Sequence, residues 1–316
     1  MRNAFADEIT KIGREDERVV LLAGDIGNKL FDKFKDNAKA RFFNCGVAEA
    51  NMMGVAAGMA LCGLRPVVYT ITPFATTRCL EQIRVDICYH NAPVVIVGTG
   101  AGLSYAKLGP THHSCEDIAL LRVLPEMTVL APCDEVELRL ALRAALAYDR
   151  PVYMRIGKKG EPTIHKNAPP FRIGKSITVR DGDDVCLIST GNVMPVVLGA
   201  AAMLAEQGFS ARVESFHTVK PLDVETLREV FTRYRLVAIC EEHSRLGGLG
   251  GSIAEWRACE RGPRAEMLAF GTDDVFMHEI GSQDYARRRF GLTAENISRQ
   301  VYAALREIAM PSGSES

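Results

Sequence analysis

The feature that most restricts the fold of this 316-residue chain is a regular alternation of short, β-branched apolar runs with helical patterns of ten or more residues. Such runs, alternating with helical patterns, are the sequence form of an α/β protein with a mostly parallel sheet. They fall into two blocks. The first predicts strands at 19–23, 66–70, 94–97, 128–131 and 152–154, and the second at 185–188, 211–215, 236–240 and 265–269, with helices from about Asn192, Asp223 and Gly251 and after Thr293. Between the blocks, Gly157-Lys158-Lys159-Gly160-Glu161-Pro162, Pro169-Pro170 and Asp181-Gly182-Asp183-Asp184 interrupt regular structure. The expected architecture is α/β, with two consecutive doubly wound, mostly parallel-sheet domains at 1–160 and 184–310. A linker at 161–183 joins them, and a flexible tail follows at 311–316.

A net charge of −1 leaves no basic footprint for nucleic acid, and no window approaches the apolar length of a membrane span. Acidic residues stand at 7 and 8, where a signal peptide would be apolar, and the nine cysteines include no Cys-x-x-Cys pair. These features predict a cytoplasmic protein. Seven histidines form no His-x-x-x-His or Cys/His zinc pattern, and there is no Gly-x-Ser-x-Gly elbow, so no metal ligand is assigned to the chain.

Several segments carry more than fold. Glu49 is the one carboxylate in the small, apolar run Gly46–Ala60, where an ionised group needs a partner unless it sits at a helix end facing water. Asp134 with Glu137 three residues on resembles a capping box. Gly24-Asp25-Ile26-Gly27-Asn28 reads either as a loop over a phosphate or as a plain strand-to-helix connection. Gly247-Gly248-Leu249-Gly250-Gly251 permits close approach of an anion or another subunit, and equally permits tight packing.

Taken together, Cys45–Met52, Phe74–Arg84 and Gly109–Asp117 resemble the pyrimidine-binding domain of transketolases in order and spacing. Leu124-Pro125-Glu126-Met127 and Ala131-Pro132-Cys133-Asp134 continue the likeness. Beyond the linker, His217–Asp223 and Glu241–Gly250 are similar to that family's C-terminal domain. The resemblance spans nearly the whole chain, and it implies thiamine diphosphate as cofactor.

In such enzymes a Glu in the position of Glu49 hydrogen-bonds N1′ of the aminopyrimidine and favours the tautomer that removes the thiazolium C2 proton. The resemblance therefore makes Glu49 catalytic. Phe74 matches the aromatic on which the pyrimidine stacks, although core packing is the commoner use of such a residue. Arg78 and Gln82 lie four and eight residues further on; Arg78 reads either as a cofactor contact or as a helix anchor. Asp25 matches an Asp close to the cofactor, with an N-cap as its structural alternative. His112 aligns with the histidine that faces the reacting carbonyl, His113 is its neighbour, and Arg2 and Arg155 match positions that bind sugar phosphate.

The departures from the family pattern point elsewhere. Leu108 replaces an Asp that contacts substrate hydroxyls, Gly100 stands where many relatives have a substrate histidine, and Ile71 replaces a second Phe. Without these polar groups, the implied substrate is a less hydroxylated or otherwise modified sugar. The Gly-Asp-Gly motif and following Asn that hold Mg²⁺ and the diphosphate have no counterpart here. The resemblance thus implies half an enzyme: a partner subunit supplies the diphosphate domain and the Mg²⁺ ligands, in an α2β2 assembly. The expected activity is two-carbon ketol transfer between phosphorylated or modified sugars. The alternatives are a deoxyxylulose-phosphate-synthase-like condensation, the β subunit of a 2-oxoacid dehydrogenase, and a non-catalytic paralogue.

Overall fold

Each predicted run becomes a strand, and most of them are buried on both faces between helices. The computed structural model describes residues 1–27, 29–262 and 265–309, and holds twelve strands among them. In chain order they are β1 (Val19–Ala23), β2 (Phe42–Asn44), β3 (Arg65–Ile71), β4 (Val95–Thr99), β5 (Thr128–Leu130), β6 (Val152–Ile156), β7 (Ile177–Arg180), β8 (Val185–Thr190), β9 (Ala211–Ser215), β10 (Thr218–Lys220), β11 (Leu236–Ser244) and β12 (Glu266–Thr272). One sheet runs β10-β5-β6-β4-β3-β1-β2 and the other β12-β11-β8-β9-β7. Every pairing is parallel except β5 with β10 and β7 with β9. The molecule is α/β, with helices interleaved between the strands as parallel pairing requires.

β1, β4, β6 and β8 are buried at every position, which is why their sequences do not alternate; β9 is equally buried although its sequence alternates, with Arg212 and Glu214 paired to each other. One apolar cluster joins the first sheet, through Val68, Ile96 and Ile118, to the second, through Ile188, Phe231 and Ile239. Three strands lie outside the nine runs predicted from sequence: β2, β7 and β10. Each is short and of mixed polarity and forms a sheet edge, so neither period nor hydrophobicity announces it. β7 falls within 161–183 as the outer strand of the second sheet. β10 comes from the second block yet pairs with β5 of the first, so the two blocks are stitched by backbone hydrogen bonds. The tail at 311–316 lies outside the described residues.

The capping box at Asp134 is half realised. Asp134 Oδ1 accepts the Val136 and Glu137 N–H groups at 2.9 and 2.8 Å and so caps the helix Glu135–Ala147. Glu137 does not reach back to the Asp134 N–H; its Oε2 takes the N–H of Cys133 instead. The glycines near 250 also acquire a reason. Glu241 accepts the Leu249 and Gly250 N–H groups at 2.7 and 2.9 Å, and a Cβ at Gly248 would stand 2.1 Å from its Oε2. The anion at this helix start is therefore a side chain of the same protein, held where the helix dipole favours negative charge. No helix among the described residues is long and apolar enough to cross a membrane, and the nine cysteines are free.

Candidate active site

Strand order in the first sheet reverses at β1: the chain passes outward to β2, then back to β3 and on to β4. Loops leaving the carboxyl ends of parallel strands at such a point enclose a crevice. Gly24 and Asp25 follow β1, Cys45 and Gly46 follow β2, Thr72 to Phe74 follow β3, and Gly100 follows β4.

Glu49 opens the helix Glu49–Leu61 that leads from β2 to β3, where the helix dipole favours its charge. It is only 2% exposed, and its one side-chain partner among the described residues is Arg78, whose Nη1 donates to Oε2 at 2.9 Å. Arg78 is itself 46% exposed, and its guanidinium lies 3.9 Å from the centroid of the Phe74 ring. The His112 ring meets Phe74 edge-on at 5.3 Å, and Tyr105 stands 6.2 Å beyond His112. Glu49, Arg78, Phe74 and His112 thus form one continuous cluster. A Cβ at Gly24 would meet Thr70 Oγ1 at 2.9 Å and Glu49 Cγ at 3.4 Å, so glycine there keeps the cluster open. Thr70 Oγ1 is buried with no hydrogen-bond partner. A carboxylate with a single partner, a nearby unsatisfied hydroxyl and an aromatic face make a donor set that fits a flat, nitrogen-bearing ring such as an aminopyrimidine.

The other expected residues are distributed around this cluster. Asp25 is exposed, has φ of 51°, and exchanges hydrogen bonds with Asn44: its Oδ1 accepts from Nδ2 at 3.0 Å and its N–H donates to Oδ1 at 3.2 Å. It joins the loops after β1 and β2 and caps no helix, the next helix having Phe31 at its N-cap. Arg2 lies beside Tyr105, with its backbone N–H donated to the Lys158 carbonyl at 3.3 Å and its Nε buried without a partner. His113 turns away from Phe74 into a cleft between the domains lined by Leu103, Cys115, Phe276 and Met277. Burial lowers its pKa, and the neighbouring His112 acts in the same direction. Arg155 is enclosed. It forms an ion pair with Asp117 at 2.9 Å, and its Nη2 donates to the carbonyls of Ser114 and Glu242. Its contacts are internal, and it is not part of the Glu49 cluster.

Sequence reasoning missed three residues here. A Cβ at Gly100, where φ is 79°, would stand 1.9 Å from the Tyr105 ring, so Tyr105 fills the space that a side chain at 100 would take. Tyr105 is the aromatic of the loop after β4, a signal available in the sequence. Lys158, whose Nζ lies 4.7 Å over the Tyr105 ring, follows β6 in a stretch that reads as connector. The third, Glu242, is fully buried on β11 and accepts from Leu103 N at 2.7 Å, Gln283 Nε2 at 2.9 Å and Arg287 Nε at 2.5 Å. It locks the second domain against the loop that carries Tyr105 and His112.

Residues 1–161 match the family described as "Transketolase, pyrimidine binding domain", and residues 174–297 match "Transketolase, C-terminal domain". The chain is 36% identical over 303 residues to the 6-deoxy-6-sulfo-D-fructose transketolase subunit SqwH of Clostridium sp. (strain MSTE9), covering 96% of this chain and 93% of that one. It is also 36% identical over 300 residues to an apulose-4-phosphate transketolase subunit of Phocaeicola vulgatus, covering 94% and 95%. A solved structure described as "Split gene transketolase, inactive beta4 tetramer" superposes with a TM-score of 0.88 at 34% identity, covering 96% of this chain and 98% of the other.

Proposed function

The chain belongs to the transketolase family, and from that premise we propose that it is one subunit of a two-subunit, thiamine diphosphate-dependent enzyme that transfers a two-carbon ketol unit between phosphorylated or modified sugars. The observation that carries this reading is Glu49: a buried carboxylate with one half-exposed partner, next to the ring of His112 and the aromatic ring of Phe74, over which that partner's guanidinium lies. Glu49 would bind the ring nitrogen of the aminopyrimidine and hold the proton there, and Phe74 would supply the stacking face. Arg78, free to slide off that face into solvent, would keep Glu49 paired at other times. When bound, the cofactor supplies a thiazolium carbon able to accept the ketol unit.

His112 borders Phe74 and Tyr105, and in this reading it would donate to or accept from substrate oxygens. Arg2 and Lys158 would meet the substrate's anionic end, with His113 behind them at the domain cleft. Arg155, tied to Asp117 and to both domains, would hold the cleft in register. Asp25 would steady the cofactor loop through Asn44. Ligands for Mg²⁺ and the diphosphate would come from the partner subunit in an α2β2 assembly. Three observations support a partner. Both relatives above are named as subunits, the superposed split-gene structure is described as an inactive tetramer, and Val47, two residues before Glu49, is 78% exposed. The sugars in the two relatives' names are 6-deoxy-6-sulfo-D-fructose and apulose 4-phosphate, a modified and a phosphorylated sugar, in keeping with the absence of a polar side chain at Gly100 and Leu108.

The test is reconstitution with a subunit that carries the diphosphate domain. Ketol transfer and thiamine diphosphate binding should appear in the mixture and not in this chain alone. Turnover by the isolated chain, or full activity of a complex containing Glu49→Gln, would overturn the proposal.

A further inference from the structure

Away from the crevice, the chain gathers the buried Cys133 and Glu137 and the partly buried His165 into one cluster in which one ligand atom from each lies within 4.8 Å of the others. Cys133 Sγ and His165 Nε2 are 3.8 Å apart, and His165 Nε2 and Glu137 Oε1 are 2.9 Å apart. We propose that Cys133, Glu137 and His165 form a zinc site that fastens the connector between the two domains to the first of them.

The donor set is the first argument. A thiolate, an imidazole and a carboxylate are ordinary zinc ligands, and around a tetrahedral ion at about 2.0–2.3 Å their ligand atoms stand roughly 3.3–3.8 Å apart. The sulfur–nitrogen distance need close by only about 0.2–0.3 Å, to the roughly 3.5–3.6 Å set by one Zn–S and one Zn–N bond. The nitrogen–oxygen distance need open by only about 0.5 Å as that hydrogen bond is replaced by two bonds to the metal. On binding, the thiol releases its proton to solvent, and the ion neutralises both thiolate and carboxylate.

Preorganisation is the second argument. Asp134 Oδ1 caps the helix that carries Glu137, while its Oδ2 accepts the N–H groups of Ile164 and His165, both at 2.8 Å. One buried carboxylate therefore sets the position of two of the three ligands from different parts of the chain. Outer partners of this sort orient metal ligands and sustain affinity.

The third is an unsatisfied nitrogen. His217 is fully buried at the cluster, its ring stacked on Phe171 at 4.0 Å and its Nδ1 bonded to the Thr218 hydroxyl at 3.0 Å. Its Nε2 has no partner. Glu137 and His165 both lie close enough to interact with it electrostatically. A zinc-bound water in the fourth position would satisfy Nε2. No short sequence pattern reveals the site, because His165 lies 28 residues beyond Glu137 and His217 lies in the second block.

The test uses the full chain, purified without chelator and then loaded with cobalt. About one zinc per chain by elemental analysis is expected, together with a thiolate-to-cobalt charge-transfer band on Co²⁺ substitution. The band should vanish in Cys133→Ser, weaken in His165→Gln, and persist in Glu49→Gln. His165 lies in irregular backbone, so its variant should fold even if Cys133→Ser does not. Absence of zinc from the purified chain with no cobalt band would overturn the site and leave His165–Glu137 as a plain ion pair. A band unchanged in both ligand variants would overturn it equally. Neither result bears on the Glu49 cluster.

Discussion

Glu49 and Glu242 are both buried carboxylates in the interior of this chain, and their surroundings are opposite. Glu242 is met by a backbone N–H from the loop after β4 and by an amide and a guanidinium from the helix Gln283–Arg289, so its charge is satisfied by donors from two separate segments. Glu49 has Arg78 alone, and that partner is half in water and lies across an aromatic ring. A satisfied buried charge serves to fix geometry, whereas one left with a single mobile partner stays available to a ligand. The same residue type thus holds the domains together in one place and waits for chemistry in the other.

That contrast is most sharply tested at Glu49. In the reconstituted complex, Glu49→Gln should lower ketol transfer by about 10²–10⁴-fold, the usual contribution of a placed proton-transfer group, while the melting temperature moves little. A large loss of stability with activity kept would reverse the roles assigned to the two glutamates. Glu242→Ala should do the converse. Leaving the Arg287 Nε–H and the Leu103 N–H without their acceptor, with Arg287 still held through Nη2 to the Asn192 carbonyl, should cost about 3–5 kcal/mol in denaturant unfolding. Were Glu242→Ala as stable as the parent, the interdomain lock would not exist.

The parallel sheets were legible in the sequence because strands buried on both faces cannot hide: β1, β4 and β8 are continuous apolar runs. Glu49 was legible for the reverse reason, as a charge where the pattern allows none. The edge strands β2, β7 and β10 were not, since three or four residues of mixed polarity carry no period. Nor was Glu242, which stands beside Glu241 in a run whose glycines drew attention to a helix start. Which glutamate caps that helix and which crosses to Leu103 depends on the β11 register, a tertiary property. The substitution of Tyr105 for a side chain at Gly100 is likewise a matter of space rather than of sequence.

Arg78 offers a smaller effect. Water screens its bond to Glu49 and its contact with Phe74, but Arg78→Ala also leaves the buried Glu49 carboxylate without a side-chain partner, so the variant should lose about 1–3 kcal/mol in denaturant unfolding. The thiamine diphosphate concentration needed for half-maximal activity should shift by no more than about tenfold. A loss as large as that of Glu49→Gln would make Arg78 a fixed part of the machinery rather than a mobile partner.

The smallest effect joins the two regions. His113 lies between them, and burial, helped by His112, lowers its pKa while the Glu242 charge opposes that shift. A histidine that protonates less readily when folded than its unfolded value of about 6.5 binds fewer protons in the native state. Its contribution to stability is therefore complete above that pH and is lost as pH falls through about 6.5 toward the folded pKa. Unfolding midpoints measured from neutral to mildly acidic pH should decline across this window, and His113→Gln should flatten the decline. Glu242→Gln removes the opposing negative charge, so it should drive the folded pKa lower still and carry the decline to more acidic pH. If Glu242→Gln left the profile where it was, the lock would be electrically isolated from the histidine at the cleft, and the two glutamates would act in separate compartments of the fold.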